Sequence, residues 1–371
     1  MALANLRIYL DGTPATEEQL DMFREIRVDQ AIGMAAEAEL DIDLSLDDQG
    51  LWSMIEDAFA QAFSRIRIEI KMGEGEYSAL IDGAVVSQRF ELAAGPGDSG
   101  LTLVVHDDSV LLNQIESVAL FEDQSADQIA QTLIADAGLI AEVDSVPAAG
   151  SAYTRYVVQR GTAMQLLRDL ARKHGMFAYV KPGAIPGQSV GVFARPTLVR
   201  GAASELLLVG EERNIHKFSV QLDALLPMSV RGGDVQLSDS SVLSTEANAS
   251  TLDPLGNEAT HAALTPTAVS LLTHSREEQN DLDAAAAAAV NFSAFAYTAN
   301  TEIDANDYDT VLAPYQVISV AGPGGYLGGD YLISRVQHSI NDSGYKQKLT
   351  LKRNARSAGS SGGSGLPGGI F

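Results

Sequence analysis

Six histidines and no cysteine set the limits of the chemistry this chain can perform. Without a thiol, disulfides, thiolate zinc sites and cysteine nucleophiles are excluded. His106, His174, His216, His261, His274 and His338 show neither HExxH spacing nor a metal-ligand cluster. His174 closes a helical pattern and His338 sits inside a strand pattern. No Gly-x-Ser-x-Gly nucleophile elbow appears between a strand and a helix pattern, the string at Gly359 to Gly363 lying within the Gly/Ser linker. The run from Gly322 to Gly329 has the glycines of a phosphate loop. It lies between two strand patterns and lacks the Lys-Ser/Thr pair, so it reads as a hairpin turn. The acidic run from Asp304 to Asp309 departs from the EF-hand pattern and lacks its closing glutamate, which makes it a poor calcium loop. Paired carboxylates are common in so acidic a chain and identify no hydrolase by themselves. No cofactor is expected.

One charged pattern remains. Residues 36–47 alternate strictly: Ala36, Ala38, Leu40, Ile42, Leu44 and Leu46 point one way, and Glu37, Glu39, Asp41, Asp43, Ser45 and Asp47 the other. Period two with one apolar face is a half-buried strand. Four carboxylates in a row repel one another unless something offsets them. Arg65 and Arg67, in the later strand RIRIEIK with Ile66, Ile68 and Ile70 inward, are the expected partners.

The chain has 371 residues, enough for two to four domains, and its 46% hydrophobic and 20% charged composition is that of a folded protein. The formal charge of −24 opposes nucleic-acid binding by phosphate neutralisation and disfavours anionic membranes. Neither a signal peptide nor an apolar run of membrane-spanning length is evident.

Four regions follow. Residues 1–120 are mostly strand, with a helix expected around Trp52, Ile55, Phe59, Ala62 and Phe63, which recur at three and four. Residues 121–203 mix helix and strand. Ser125 to Gln128 and Thr162 to Gln165 are capping boxes, and Gly138 and Gly175 are left-handed stops. Lys173 and His174 supply cations at the negative end of the second helix. Residues 204–355 return to strands. They include MSVRGGDV (228–235), read as a strand followed by a glycine turn, and a weakly periodic excursion at 236–273, read as partly loop. A third capping box, Ser275 to Glu278, opens a helix with the alanine run 284–289. Residues 356–371 form a Gly/Ser linker with the apolar tip Leu366, Ile370 and Phe371, read either as a free tail or as a partner-docking peptide.

Three features in order carry a resemblance. They are the strand-rich start with its tryptophan insertion, the helix Thr162 to Gly175 with a strand ending Lys181-Pro182-Gly183, and a close built from Val317, Gly329 to Ile333, Val336 to His338, Gly344-Tyr345 and Leu351 to Asn354. Together they resemble the late-control-protein D family of contractile-phage baseplate hubs and the hub half of type VI secretion spike proteins. The resemblance implies an α+β, mainly β fold, with two tail-tube-like β-barrel domains and an inserted α/β module. It further implies a non-enzymatic homotrimer in the virion baseplate, assembled in the bacterial host cytoplasm, that joins the hexameric tail tube protein to a separate spike protein among other baseplate proteins. Within such a ring Glu37, Glu39, Asp41 and Asp43 are candidate channel-lining groups that repel passing DNA without binding it; an outer solvated wall is the alternative. A baseplate-associated cell-wall hydrolase and an extracellular receptor-binding module are the competing functions.

Overall fold

The computed structural model describes residues 4–46, 50–95, 97–146, 156–235, 239–265, 267–272 and 279–356. The third capping box and the tip residues Leu366, Ile370 and Phe371 lie outside them, as does Asp47.

The first region supplies β1 (Ala4–Leu10), β2 (Thr13–Pro14), α1 (Glu17–Leu20), β3 (Phe23–Ala31), β4 (Glu37–Asp43), β5 (Arg65–Met72), β6 (Ser78–Glu91) and β7 (Gly100–Asp107). A module follows with α2 (Ser109–Asn113), β8 (Glu116–Glu122), α3 (Ala126–Asp136), β9 (Ile140–Val143), β10 (Tyr156–Thr162), α4 (Ala163–His174), β11 (Phe177–Pro182) and β12 (Ser189–Ala194). The third region supplies β13 (Leu206–Leu207), β14 (Phe218–Leu222), β15 (Met228–Val235), β16 (Val242–Ala247), β17 (Glu258–Ala259), α5 (Thr260–Ala263), β18 (Ala268–Leu272), α6 (Gln279–Ser293), β19 (Tyr297–Asp304), β20 (Val317–Ala321), β21 (Gly329–Asn341), β22 (Gly344–Arg353) and β23 (Ala355–Arg356).

The fold is mainly β. The first and third regions share one large, almost wholly antiparallel sheet in the order β14-β19-β22-β21-β3-β4-β7-β6-β5-β1-β2, with β20 and β13 branching from β21. Among the described residues this order has two ends and does not close on itself. The seam is β21 against β3, with Ile340 opposite Ile26 and His338 opposite Val28. Period-two alternation gives the sheet one apolar side. On the first half Ile26, Val28, Ala38, Leu40, Ile42, Ile66, Ile68 and Ile70 form one core. On the second half Ile303, Ile318, Tyr331, Ile333, Leu349 and Leu351 form another. The closing segment is three strands, β20 to β22, and the glycine run joins the first two as a hairpin.

The module keeps the expected capping. Ser125 and Thr162 make complete capping boxes, and Gly175 ends α4 in the left-handed region. His174 departs from expectation, because burial lowers its pKa and favours the neutral ring over a cation.

Two other expectations are corrected. Residues 52–63 form no α-helix. Leu46 pairs with Trp52 in a single β-bridge, and one 3₁₀ turn spans Ala58–Ala60. Met54 and Phe63 take positive φ values of 62° and 66°, which break a helix. Trp52, Ile55 and Phe59 nonetheless pack on the first core, whereas Phe63 is exposed. The apolar spacing therefore reports burial here and not helix. Second, β15 runs straight through Gly232 and Gly233 and pairs with β16 and β18 on its two sides. A Cβ on Gly232 would come within 3.1 Å of Leu272 Cβ and of Thr245 Cγ2, so this glycine relieves crowding inside a sheet. The 236–273 excursion, read as partly loop, is irregular over 248–257 and also contributes β16 and β18 to that three-stranded sheet. Helix α6 covers it through Val230, Ala286 and Val290. The alanines also admit α4, since a Cβ on Gly175 would lie 3.4 Å from Ala288 Cβ.

Candidate functional site: the polar face of the shared sheet

The side of the sheet opposite the two cores is polar across both halves. Cross-strand partners share a face. Following the registers, Asn300 and Glu302 of β19 meet Thr350 and Lys348 of β22. Lys348 then meets Gln337 of β21, which meets Asp29 of β3, which meets Glu37 of β4. Glu37 meets His106 of β7, and Ala84 of β6 connects that row to Arg65 of β5.

The four sequence-predicted carboxylates lie together on β4 at the centre of this face. Glu37 and Asp43 are exposed, Glu39 is half-exposed and Asp41 is nearly buried. Their cations are not Arg65 and Arg67. Arg27 on β3 lies 3.1 Å from Glu39 and 3.2 Å from Asp41. Arg24 reaches Asp43 at 3.0 Å, and His106 Nε2 lies 2.9 Å from Glu37. Arg89 on β6 also pairs with Glu39, and that hydrogen bond raises the arginine pKa. At the seam Arg335 Nε donates to Asp29 Oδ1 at 2.7 Å. Sequence reasoning missed these partners because long-range pairing decides them. The available signal was β3 itself, where Glu25, Arg27 and Asp29 alternate with Ile26 and Val28.

Arg65 and Arg67 serve the far end of the same face, where the module covers it. Arg67 donates to Glu69 at 2.7 Å, to Asp82 at 3.0 Å and to the Gly183 carbonyl at 2.8 Å, and its side chain is only 4% exposed. Arg65 donates to Asp82 at 2.7 Å and to Asp108 at 2.6 Å. Burial works against the Arg65 charge, but the hydrogen bonds and charges of Asp108 and Asp82 outweigh it and raise its pKa. The module contributes the Gly187 N–H, which donates to Asp82 Oδ2 at 2.9 Å. The β11–β12 hairpin is thus held on the sheet by its main-chain groups, the Gly183 carbonyl and the Gly187 N–H, bonded to the buried charges of Arg67 and Asp82.

Two further polar features flank the face. Beneath the seam His338 is fully buried. Its Nδ1 lies 2.8 Å from the Tyr345 hydroxyl and its Nε2 lies 3.2 Å from Gln30 Oε1. Burial drives its pKa down to about 3, so the ring is neutral. Where the module meets both sheet halves, Tyr179 stacks on Tyr315 at 3.8 Å beside a cavity of about 270 Å³ that Asp107 also lines. Burial raises the Asp107 pKa. Among the described residues no group of three or more His, Asp or Glu side chains is placed to hold a metal ion. The Asp304 to Asp309 run instead makes a turn in which Asp304 Oδ1 accepts from the Asn306 backbone at 3.0 Å.

This architecture is that of phage tail proteins. The 43 kDa tail protein of prophage MuSo2 from Shewanella oneidensis superposes with a TM-score of 0.65 at 13% identity, covering 95% of this chain and 100% of that one. The tail protein from Neisseria meningitidis MC58 gives 0.66 at 14% identity, covering 95% and 97%. The Escherichia coli c3393 protein, a component of the type VI secretion system, gives 0.52 at 9% identity, covering 96% and 78%. By sequence, residues 2–342 match the family model described as the Alg8 N-terminal domain, and the chain belongs to that family. No curated protein matches it.

Proposed function

We propose that this chain is the structural hub of a contractile tail or related injection system. Three copies form a ring that joins a six-fold tube to a three-fold spike, and the chain performs no catalysis. The observation that carries this reading is the single sheet with two cores on one side and, on the other, a polar face left open across β4 and the seam. Two tube-like halves fused in one chain present six half-units when three chains assemble, which is the arithmetic a six-to-three adaptor requires. In this reading each half corresponds to one tube-like barrel domain, 1–120 and 204–355, with 121–203 as the inserted module. The polar face lines the channel, so Glu37, Glu39, Asp41 and Asp43 border the path of DNA or another passing chain. Their pairing with Arg24, Arg27 and Arg89 makes the wall a balanced surface that holds no polyanion strongly. The ring sits in the virion baseplate and is assembled in the host cytoplasm. In this reading the tip Leu366, Ile370 and Phe371 is the segment that docks on the spike or a neighbouring hub.

Light scattering on the purified protein, alone and mixed with its spike, tests the ring. A trimer in either sample is expected. A monomer at micromolar concentration that cleaves peptidoglycan overturns the proposal in favour of a hydrolase. Replacing the four acids by their amides is expected to leave the trimer intact and slow ejection. Locating the four acids on the outer wall of an assembled particle removes the channel role.

A further inference from the structure

The module carries an apolar surface that neither core uses. Strands β8 and β10 form a two-stranded ribbon with Leu120 opposite Val158 and Glu122 opposite Tyr156. One side, with Phe121 and Val157, packs on the module core. The other exposes Val118 (82%), Leu120, Tyr156 and Val158, and it continues into exposed Leu111 and Ile115 at the end of α2. Among the described residues β8 pairs with β10 and with no other strand. Its outer edge therefore presents backbone N–H and C=O groups beside an apolar stripe. A two-stranded ribbon is marginal by itself. Soluble proteins guard such edges with charged side chains, proline or a bulge; Glu116-Ser-Val-Ala-Leu-Phe-Glu122 has charges only at its two ends, has no proline and pairs without a register shift.

The charges choose the occupant. The outward row of β8 reads Glu116, Val118, Leu120, Glu122. If two copies paired antiparallel about Ala119, Glu116 of each would oppose Glu122 of the other. Parallel pairing would align each glutamate with its own counterpart. Like charges directly opposed are destabilising in a sheet, so the two registers that pair the whole of β8 with a second copy are disfavoured. We infer that β8 is a docking edge for an extended segment of another protein. That segment adds as a third strand, with two apolar side chains over Val118 and Leu120 and a lysine or arginine at each end, facing Glu116 and Glu122. Main-chain bonds supply affinity and the end charges supply selection, as in strand-addition recognition generally. The inference does not depend on ring formation.

A seven-residue peptide alternating valine with threonine and carrying lysine at both ends is the probe, against the same peptide with glutamate at both ends. Binding is read by calorimetry and by hydrogen exchange of the β8 amides in the full chain. The lysine peptide is expected to bind at least about tenfold more tightly and to slow β8 exchange. E116K/E122K is expected to reverse the preference, and V118S/L120S, at exposed positions, to abolish binding with the thermal midpoint unchanged. Equal affinity for the two peptides, or no β8 protection by either, overturns the inference. So does concentration-dependent self-association that V118S/L120S abolishes, since the occupant would then be a second copy.

Discussion

The centre and the covered side of the polar sheet face use the same residue types under opposite conditions. At the open centre Arg27, with a side chain 48% exposed, stands between Glu39 and Asp41. On the covered side Arg67 and Asp82, at 4% and 0%, are sealed beneath the β11–β12 hairpin. Water screens the first set, so each pair contributes about 0–1 kcal/mol. The second set has lost its hydration and depends on every partner being present. Removing one member of such a buried pair leaves an uncompensated charge. Identical chemistry thus tunes a surface at the open centre and fixes module to sheet where the hairpin covers it.

The strongest way to break this comparison is Arg67→Ala. It is expected to lower the unfolding free energy by about 3–5 kcal/mol, because Asp82 and Glu69 stay buried with one cation fewer. Urea denaturation measures this, and a loss below about 1 kcal/mol would place the covered set in the same energetic class as the open one. The seam supplies a buried network without charge. The His338 pKa of about 3 is depressed from the ordinary value near 6.5. Its contribution is therefore complete above pH 6.5 and is lost as pH falls from 6.5 towards 3, with a slope of about 1.4 kcal/mol per pH unit. Stability measured at pH 7, 5 and 4 checks this, and H338Q should flatten the slope whatever it does to the absolute value. The smallest effect is expected from Arg27→Ala: below about 1 kcal/mol at 0.1 M salt and close to nothing at 1 M salt. A salt-independent loss would show that the open centre is screened less than its exposure implies.

Much of this molecule is legible in one sequence because its signals are local. The alternation at 36–47 predicts β4 and its buried Ala38, Leu40 and Ile42. The capping boxes at Ser125 and Thr162 predict α3 and α4. The four carboxylates do share one face. What fails is non-local. Trp52, Ile55 and Phe59 have helical spacing, but they are buried by an irregular segment that the first core pulls inward. Gly232 looks like a turn because the crowding from Leu272 and Thr245 arrives from other strands. Arg65 and Arg67 have the right charge for β4 but sit across β6 and β7 from it, and the nearer Arg27 takes their expected place.

The seam between β3 and β21 sets an order of events. Arg335 and Asp29 meet across 306 positions of chain. A ribosome adding ~5–20 residues per second needs roughly 15–60 s to span that distance. Once β4 to β7 have emerged and the first half has folded, β3 is the outermost strand of a half-built sheet until β21 arrives, with the main-chain groups of its free edge unsatisfied. The charged row Glu25, Arg27 and Asp29 on that strand then acts as a temporary guard, discouraging nascent neighbours from zippering onto it. The same side chains that finish as a wall of the mature sheet thus first protect the unfinished chain from its own copies.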